Sequence, residues 1–230
     1  LDSGMSYIPL LIGCPLYDRG WIIKEWLDYV QDACKVACVE PQFIFACSQD
    51  EPTLKSLDID YHHVVIDEPV KQYERNWSVK RFQHMVDVRN SLLQGVRDLQ
   101  PTYFLSLDSD ILVHEESILS MSELVDEYDA VGGKLYMSNG TRHPSFSSSF
   151  DPLIRGDSDE VLSVKAIMAM KLMNHKAYNI DYSFHRLGED IGWSKNCKTA
   201  GLRLGWDGRV TNKHVMDSRE IFSYDKRCGF

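Results

Sequence analysis

The chain has 230 residues, 43% hydrophobic and 26% charged, the proportions of a soluble globular protein long enough to bury its own core. Its longest apolar stretches run to about ten residues, half of what a bilayer-spanning helix needs, so no membrane anchor is expected. A net charge of −9, from 25 basic and 34 acidic side chains, makes it a poor general binder of polyanions, because nucleic-acid affinity rests largely on phosphate neutralisation.

The first half alternates strands and helices. Residues 9–14 form a short apolar run closed by Pro15, a buried strand by pattern. Over 21–37, Trp21, Ile22, Trp26, Tyr29, Val30 and Ala33 recur at helical spacing. Residues 43–47 and 62–66 read as two further strands, each closed by a turn containing proline. The spacing then predicts a long helix over 78–98, with Phe82, Met85, Val86, Leu92, Leu93 and Val96 on its apolar side. A fourth strand at 103–107, a helix near 116–126 and a strand near 130–135 follow. Such alternation implies a mainly parallel sheet covered by helices on both faces, with ligands beyond the carboxyl ends of the strands.

Residues 136–160 break the rhythm, with Ser145, Ser147, Ser148 and Ser149, two prolines, two glycines and little periodicity, and read as a mobile functional loop. The methionine-rich stretch 161–173 is expected to form a strand or helix of a second, smaller lobe. A helix over 190–200 ending at Gly201 and a short strand over 202–206 complete the pattern.

Three signals carry chemistry. At the end of the fourth strand stand Asp108, Ser109 and Asp110; in an extended chain residues i and i+2 face the same way about 6–7 Å apart, a gap that one Mg²⁺ or Mn²⁺ can bridge. The same triplet also suits a solvated turn. Leu187-Gly188-Glu189-Asp190 places two acids at a helix start, where they serve either the helix dipole or, as a base, a substrate hydroxyl. His214 is a lone histidine that becomes a reasonable third ligand only beside two aspartates.

The order of these motifs resembles the GT-A-fold glycosyltransferases of the family-2 type: Asp108-x-Asp110, then Glu189-Asp190 opening a helix that ends in Ala200-Gly201-Leu202-Arg203, then His214. The opening Ile12-Gly13-Cys14-Pro15-Leu16-Tyr17-Asp18-Arg19 is similar to their first strand and nucleotide-contacting loop. The resemblance implies an α/β GT-A (Rossmann-like) fold with a central mainly parallel sheet and a smaller acceptor-side region. It divides one domain into a nucleotide-sugar-binding half, 1–135, and an acceptor-binding half, 136–230. It implies transfer from a nucleoside-diphosphate sugar, UDP favoured, to an acceptor hydroxyl with inversion. Asp108, Asp110 and His214 would hold Mn²⁺ or Mg²⁺. Pro15, Tyr17, Arg19, Asp50, Arg89 and Lys213 would contact the nucleotide, with Arg209 or Arg219 as other cations for the diphosphate. Asp190 would act as base, with Glu189 beside it. Trp193 and Trp206 read as packing residues or as stacking surfaces for a sugar. The acceptor stays open: a glycan, a protein, a lipid head group or a modified DNA base, nucleic acid entering only as acceptor.

Two other readings compete. One takes residues 105–110 as the nucleophile strand of a haloacid-dehalogenase-like phosphatase, Asp108 attacking phosphorus and Asp110 acting as acid/base, although three strands precede it. The other is a nucleotide- or sugar-binding module without catalysis. Six cysteines show no C-x-x-C pair, and Cys34 and Cys38 are expected one above the other on a helix as small core residues. The first residues lack the pattern of a signal peptide, so Met5 is expected to be the natural start, the compartment cytoplasmic and the sequons at Asn76 and Asn139 incidental.

Overall fold

A computed structural model of the chain describes residues 8–67, 79–137, 142–143, 145–150, 153–156 and 158–221. Met5, both sequons and Cys228 lie outside them. In chain order the elements are β1 (Ile8–Pro15), α1 (Ile23–Val36), β2 (Val39–Cys47), α2 (Pro52–Lys55), β3 (Tyr61–Val65), α3 (Val79–Leu99), β4 (Tyr103–Leu107) and β5 (Ile111–Leu112). There follow α4 (Ser117–Ser122), β6 (Ala130–Met137), β7 (Arg142–His143), β8 (Phe146–Phe150), β9 (Leu153–Gly156), β10 (Val161–Val164) and β11 (Ala166–Ile167). The last are β12 (Met170–Asn174), α5 (His175–Tyr178), α6 (Glu189–Thr199) and β13 (Leu204–His214).

One large sheet runs β10-β13-β6-β12-β4-β1-β2-β3, with β5 and β7 as short additions to β13 and β6. Six of those eight strands point the same way; β12 and β10 run against them. The period of two decides which helix each strand residue meets. Leu10, Ile12 and Cys14 of β1 and Phe43, Phe45 and Cys47 of β2 pack with Trp26 and Val30 of α1. Leu11, Ile44 and Ala46, between them, pack with Val86, Leu92 and Val96 of α3. Both faces are covered, which is why these strands read as unbroken apolar runs.

The second half departs from its sequence pattern. Residues 136–160 are not an irregular loop among the described positions: they hold β7, β8 and β9, and β8 and β9 join β11 in a second, three-stranded sheet. The serines hid this, because their low hydrophobicity masks an anchor supplied from elsewhere. Phe146 packs its ring 4.8 Å from that of Trp206 on the main sheet. Opposite it in register stands Gly156, where a Cβ would lie 2.6 Å from the Phe146 ring. Nor does the methionine-rich stretch form a separate lobe. Its last part, β12, inserts into the main sheet between β4 and β6. The helix expected near 116–126 stops at Ser122, and Cys38 lies beyond the end of α1, exposed, with φ of +54°, while Cys34 is buried.

Candidate active site

The carboxyl ends of β1 and β4 open onto a pocket lined by Pro15, Tyr17, Arg19, Ile66 and Arg81, and by His84, Arg89, Asp108, Asp110 and Glu189. The β1 loop is fixed from below. Glu51 caps α2 by accepting from Thr53 N, and the same buried carboxylate accepts from Asp18 N at 3.0 Å. Thr53 Oγ1 accepts from Arg19 N at 3.0 Å. Arg19 can therefore present its side chain to the acidic turn: Nε donates to Ser109 Oγ at 3.1 Å and Nη2 lies 3.6 Å from Asp110 Oδ2.

Three other elements hold that turn. The Trp26 indole of α1 donates to the Asp108 carbonyl at 3.1 Å, Asp108 N donates to Ala169 O at 3.2 Å, and Val215 N donates to Asp110 O at 2.8 Å. The backbone of the acidic turn is thus over-determined before any ligand arrives.

Arg89 joins the two acidic motifs. From α3, nearly buried, it donates through Nη2 to Asp108 Oδ1 at 2.8 Å and through Nε to Glu189 Oε1 at 2.9 Å. Its remaining nitrogen, Nη1, is buried with no hydrogen-bond partner among the described residues. Burial disfavours its charge, but Asp108, Asp190 and Glu189 outweigh that and hold the guanidinium firmly protonated. Burial pushes the Asp108 and Glu189 carboxyls above their ordinary range, Arg89 offsetting only part of it. Asp110 goes the other way: burial opposes its charge, but the hydrogen bond and charge of His214, helped by Arg19, keep it below the usual carboxylate range. His214 is in turn raised, because the Asp110 contact overcomes its own burial.

His214 Nε2 stands 3.5 Å from Asp110 Oδ1. Carboxylate oxygen suits both Mn²⁺ and Mg²⁺, whereas an imidazole nitrogen is a softer donor that favours Mn²⁺ over Mg²⁺. Among the described residues no three His, Cys, Asp or Glu side chains form a complete metal set. The donors present fit an ion that takes one or two carboxylates from protein and the rest from phosphate and water, as Mg²⁺ usually does.

Asp190 does not line the pocket. Lys171 Nζ on β12 reaches its Oδ1 at 2.5 Å, and the Ala169 N–H donates to its Oδ2 at 2.9 Å. Burial opposes its charge, but Lys171 and Arg89 together hold it below the ordinary range. The remaining expected residues stand elsewhere. Asp50 is 93% exposed, 4.0 Å from Lys55, and its neighbour Glu51 does the anchoring. Lys213 donates to Ile221 O at 3.1 Å, strand alternation turning it from the face that carries His214. Arg209 is bound to Asp207 and Glu123, and exposed Arg219 to Asp217. Trp193 and Trp206 are fully buried packing residues. The residues that sequence reasoning passed over are Lys171, Tyr182, Arg81 and His84. A lysine inside an apolar run was the available signal for the first.

No family model matches the chain, and no curated protein matches it. Solved structures do. Staphylococcus aureus TarS 1–349, determined with UDP-GlcNAc, aligns at a TM-score of 0.58 and 13% identity over 91% of this chain and 59% of that one. The fold is that of the GT-A glycosyltransferases. The GT-A catalytic domain of Drosophila β1,4-galactosyltransferase 7, in complex with xylobiose, aligns at 0.50 and 12% identity over 94% of this chain and 74% of that one. GalNAc-T7 with UDP, GalNAc and Mn²⁺ aligns at 0.52 and 8% identity, with 91% of this chain and 43% of its own length covered. The present chain thus spans less than two thirds of TarS 1–349 and of GalNAc-T7, and at such identities the likeness is one of GT-A architecture.

Proposed function

We propose that the chain is a glycosyltransferase that moves a sugar from a UDP-sugar to an acceptor hydroxyl with the help of a divalent cation. One observation carries this reading. The acidic turn, Glu189 at the start of α6 and the β1 loop converge on one pocket at the strand ends, joined by Arg89, with Asp190 next to Glu189 behind the lining. The GT-A fold supports it, as do neighbours determined with UDP-GlcNAc or with UDP and Mn²⁺.

On this reading Asp110 and His214, with Asp108 beside them, hold Mn²⁺ or Mg²⁺. A bound ion would supply Lewis-acid stabilisation of the charge that develops on the departing diphosphate. Arg19, Arg81 and Arg89 line the same pocket and add fixed positive charge for that diphosphate. Pro15 and Tyr17 form one wall for the nucleoside, and Ile66 and Val88 give it apolar surface. Asp190 takes the proton of the acceptor hydroxyl, whose oxygen attacks the anomeric carbon opposite the leaving group, so configuration inverts. Asp50 and Lys213 have no part in it. The chain to residue 135 is the donor side and the remainder the acceptor side of one domain. The acceptor is a hydroxyl on a glycan, protein, lipid head group or modified nucleobase.

The test is release of UDP from UDP-glucose, UDP-galactose, UDP-GlcNAc and UDP-GalNAc with Mn²⁺ present and water as acceptor. Turnover of one donor that is lost on removing the metal supports the reading. Silence with every donor, in a protein that stays folded, removes it.

A further inference from the structure

The buried lysine of β12 is unexplained by the transferase chemistry above. Lys171 has no exposed surface, in the centre of a sheet where an apolar residue would pack at no electrostatic cost. Replacing a buried ion pair by apolar residues of similar volume is often neutral or stabilising, so stability alone is a weak reason for a lysine here. What surrounds it is specific. Its ammonium sits 2.5 Å from Asp190 Oδ1, 5.5 Å from the centre of the Tyr182 ring and 5.5 Å from that of Trp193. Tyr182 also faces Arg89 at 5.7 Å and is clamped to α3: Asn90 Oδ1 accepts from Tyr182 N at 2.7 Å, and Asn90 Nδ2 donates to Tyr182 O at 3.0 Å. One aromatic ring therefore stands against both buried cations of the site.

The second carboxylate oxygen is fixed from a strained position. Ala169 adopts φ of +59°, a left-handed conformation uncommon for any residue with a Cβ. There its N–H donates to Asp190 Oδ2, while its carbonyl accepts from Asp108 N. Strain of this kind persists where the surrounding structure dictates it, and it clusters at functional sites. An ionised carboxylate has about four acceptor positions, so two protein donors leave room for a substrate hydroxyl.

We propose that Lys171 is a positioning residue: with Ala169 it holds the Asp190 carboxylate in the orientation from which it accepts the acceptor proton. The inference rests on the transferase reading, with Asp190 as base. Charged or titratable groups face Asp190 from each side: Lys171 from β12, Arg89 from α3, Asp108 from the acidic turn, Tyr182 from the segment before α6, and Glu189 from its own helix. Removing the lysine leaves Arg89 as the one cation in that set.

The experiment measures UDP release from a turned-over UDP-sugar with Mn²⁺ for wild type, Lys171→Met, Asp190→Asn and the double variant, with UDP affinity measured in parallel. The expected result for Lys171→Met is a fall in kcat of roughly 30- to 100-fold, up to the lower end of the 10²- to 10⁴-fold assigned to general-base catalysis, with UDP affinity retained. The acidic limb of its kcat–pH profile moves to higher pH, because Asp190 loses the positive charge that favours its ionised form. The double variant is no slower than Asp190→Asn alone, since both changes remove one function. If Lys171→Met does not fold, Lys171→Gln, one bond shorter but keeping a hydrogen-bond donor without charge, carries the same measurements. Wild-type kcat in the lysine variant, an unmoved acidic limb, or losses that simply multiply in the double variant overturn the positioning role. A wild-type protein that turns over no donor overturns the transferase reading itself and this inference with it.

Discussion

The two acidic pairs, of which Asp190 alone stands off the pocket lining, are confined to different degrees. Asp108 and Asp110 keep 28% and 22% of their side chains open, and Arg89 and Arg19, two of the cations facing them, line the pocket themselves. Glu189 and Asp190 keep 10% and 13%, and the lysine bound to Asp190 comes from the interior of a strand. A contact on the pocket wall can be exchanged when a ligand arrives. One built into the centre of a sheet cannot leave without unfolding it. On the proposed function the first pair binds and the second stays where it is, with Arg89 spanning both.

The largest effect should come from the fixed pair. Asp190→Asn should lower turnover of a UDP-sugar by about 10²- to 10⁴-fold while leaving UDP affinity nearly unchanged, checked by steady-state kinetics and calorimetry. Loss of affinity in step with turnover would mean that the fixed pair also binds. Arg89→Met should cost about 3 kcal/mol in urea unfolding, because it leaves buried Glu189 and half-buried Asp108 without their shared cation. Gly192→Ala should cost about 3 kcal/mol or more: a Cβ there falls 1.9 Å from Ser183 O, so α6 must shift and carry the fixed pair with it.

A smaller effect follows from an acid outside the site. Asp129 accepts from Arg203 N at 2.8 Å and from Asn174 Nδ2 at 3.2 Å; against the opposing effect of burial, these bonds and the nearby Lys176 and Arg203 charges lower its pKa. A group lowered in the folded state contributes stability above its unfolded value, near 4, and loses it as pH falls through the lower folded value. Asp129→Asn should therefore be less stable by about 1 kcal/mol at neutral pH, with the gap closing below about pH 4, read from unfolding curves at several pH values. The smallest effect belongs to Asp50→Ala, whose exposed side chain should change stability by under about 0.5 kcal/mol and UDP binding not at all.

Much of the first half was legible because most local patterns there agree with the sheet they enter. The run at 103–107 matches β4 residue for residue, and the helix carrying Arg89 differs by one residue at each end. The second half resisted because its decisive contacts are distant in sequence. Lys171 makes β12 look unlike a central strand until Asp190, 19 residues on, neutralises it. Phe146 anchors a serine-rich strand only through Trp206, 60 residues on. The motif acids could be found by spacing. Their unequal confinement could not, since it depends on Arg89 arriving from α3, packed on the sheet, and Lys171 from β12, whose place within it no local pattern sets.

The most direct test of the central claim is the thermal midpoint of the protein with UDP, GDP, CDP and dTDP, each with and without Mn²⁺, in wild type and Asp110→Ala. A ligand that binds only the folded state stabilises it by about 2.7 kcal/mol at a hundredfold excess over its dissociation constant. The account predicts a rise in midpoint with UDP that requires Mn²⁺ and vanishes in Asp110→Ala. A flat response to every nucleotide, or a UDP shift indifferent to both the metal and Asp110, would contradict it.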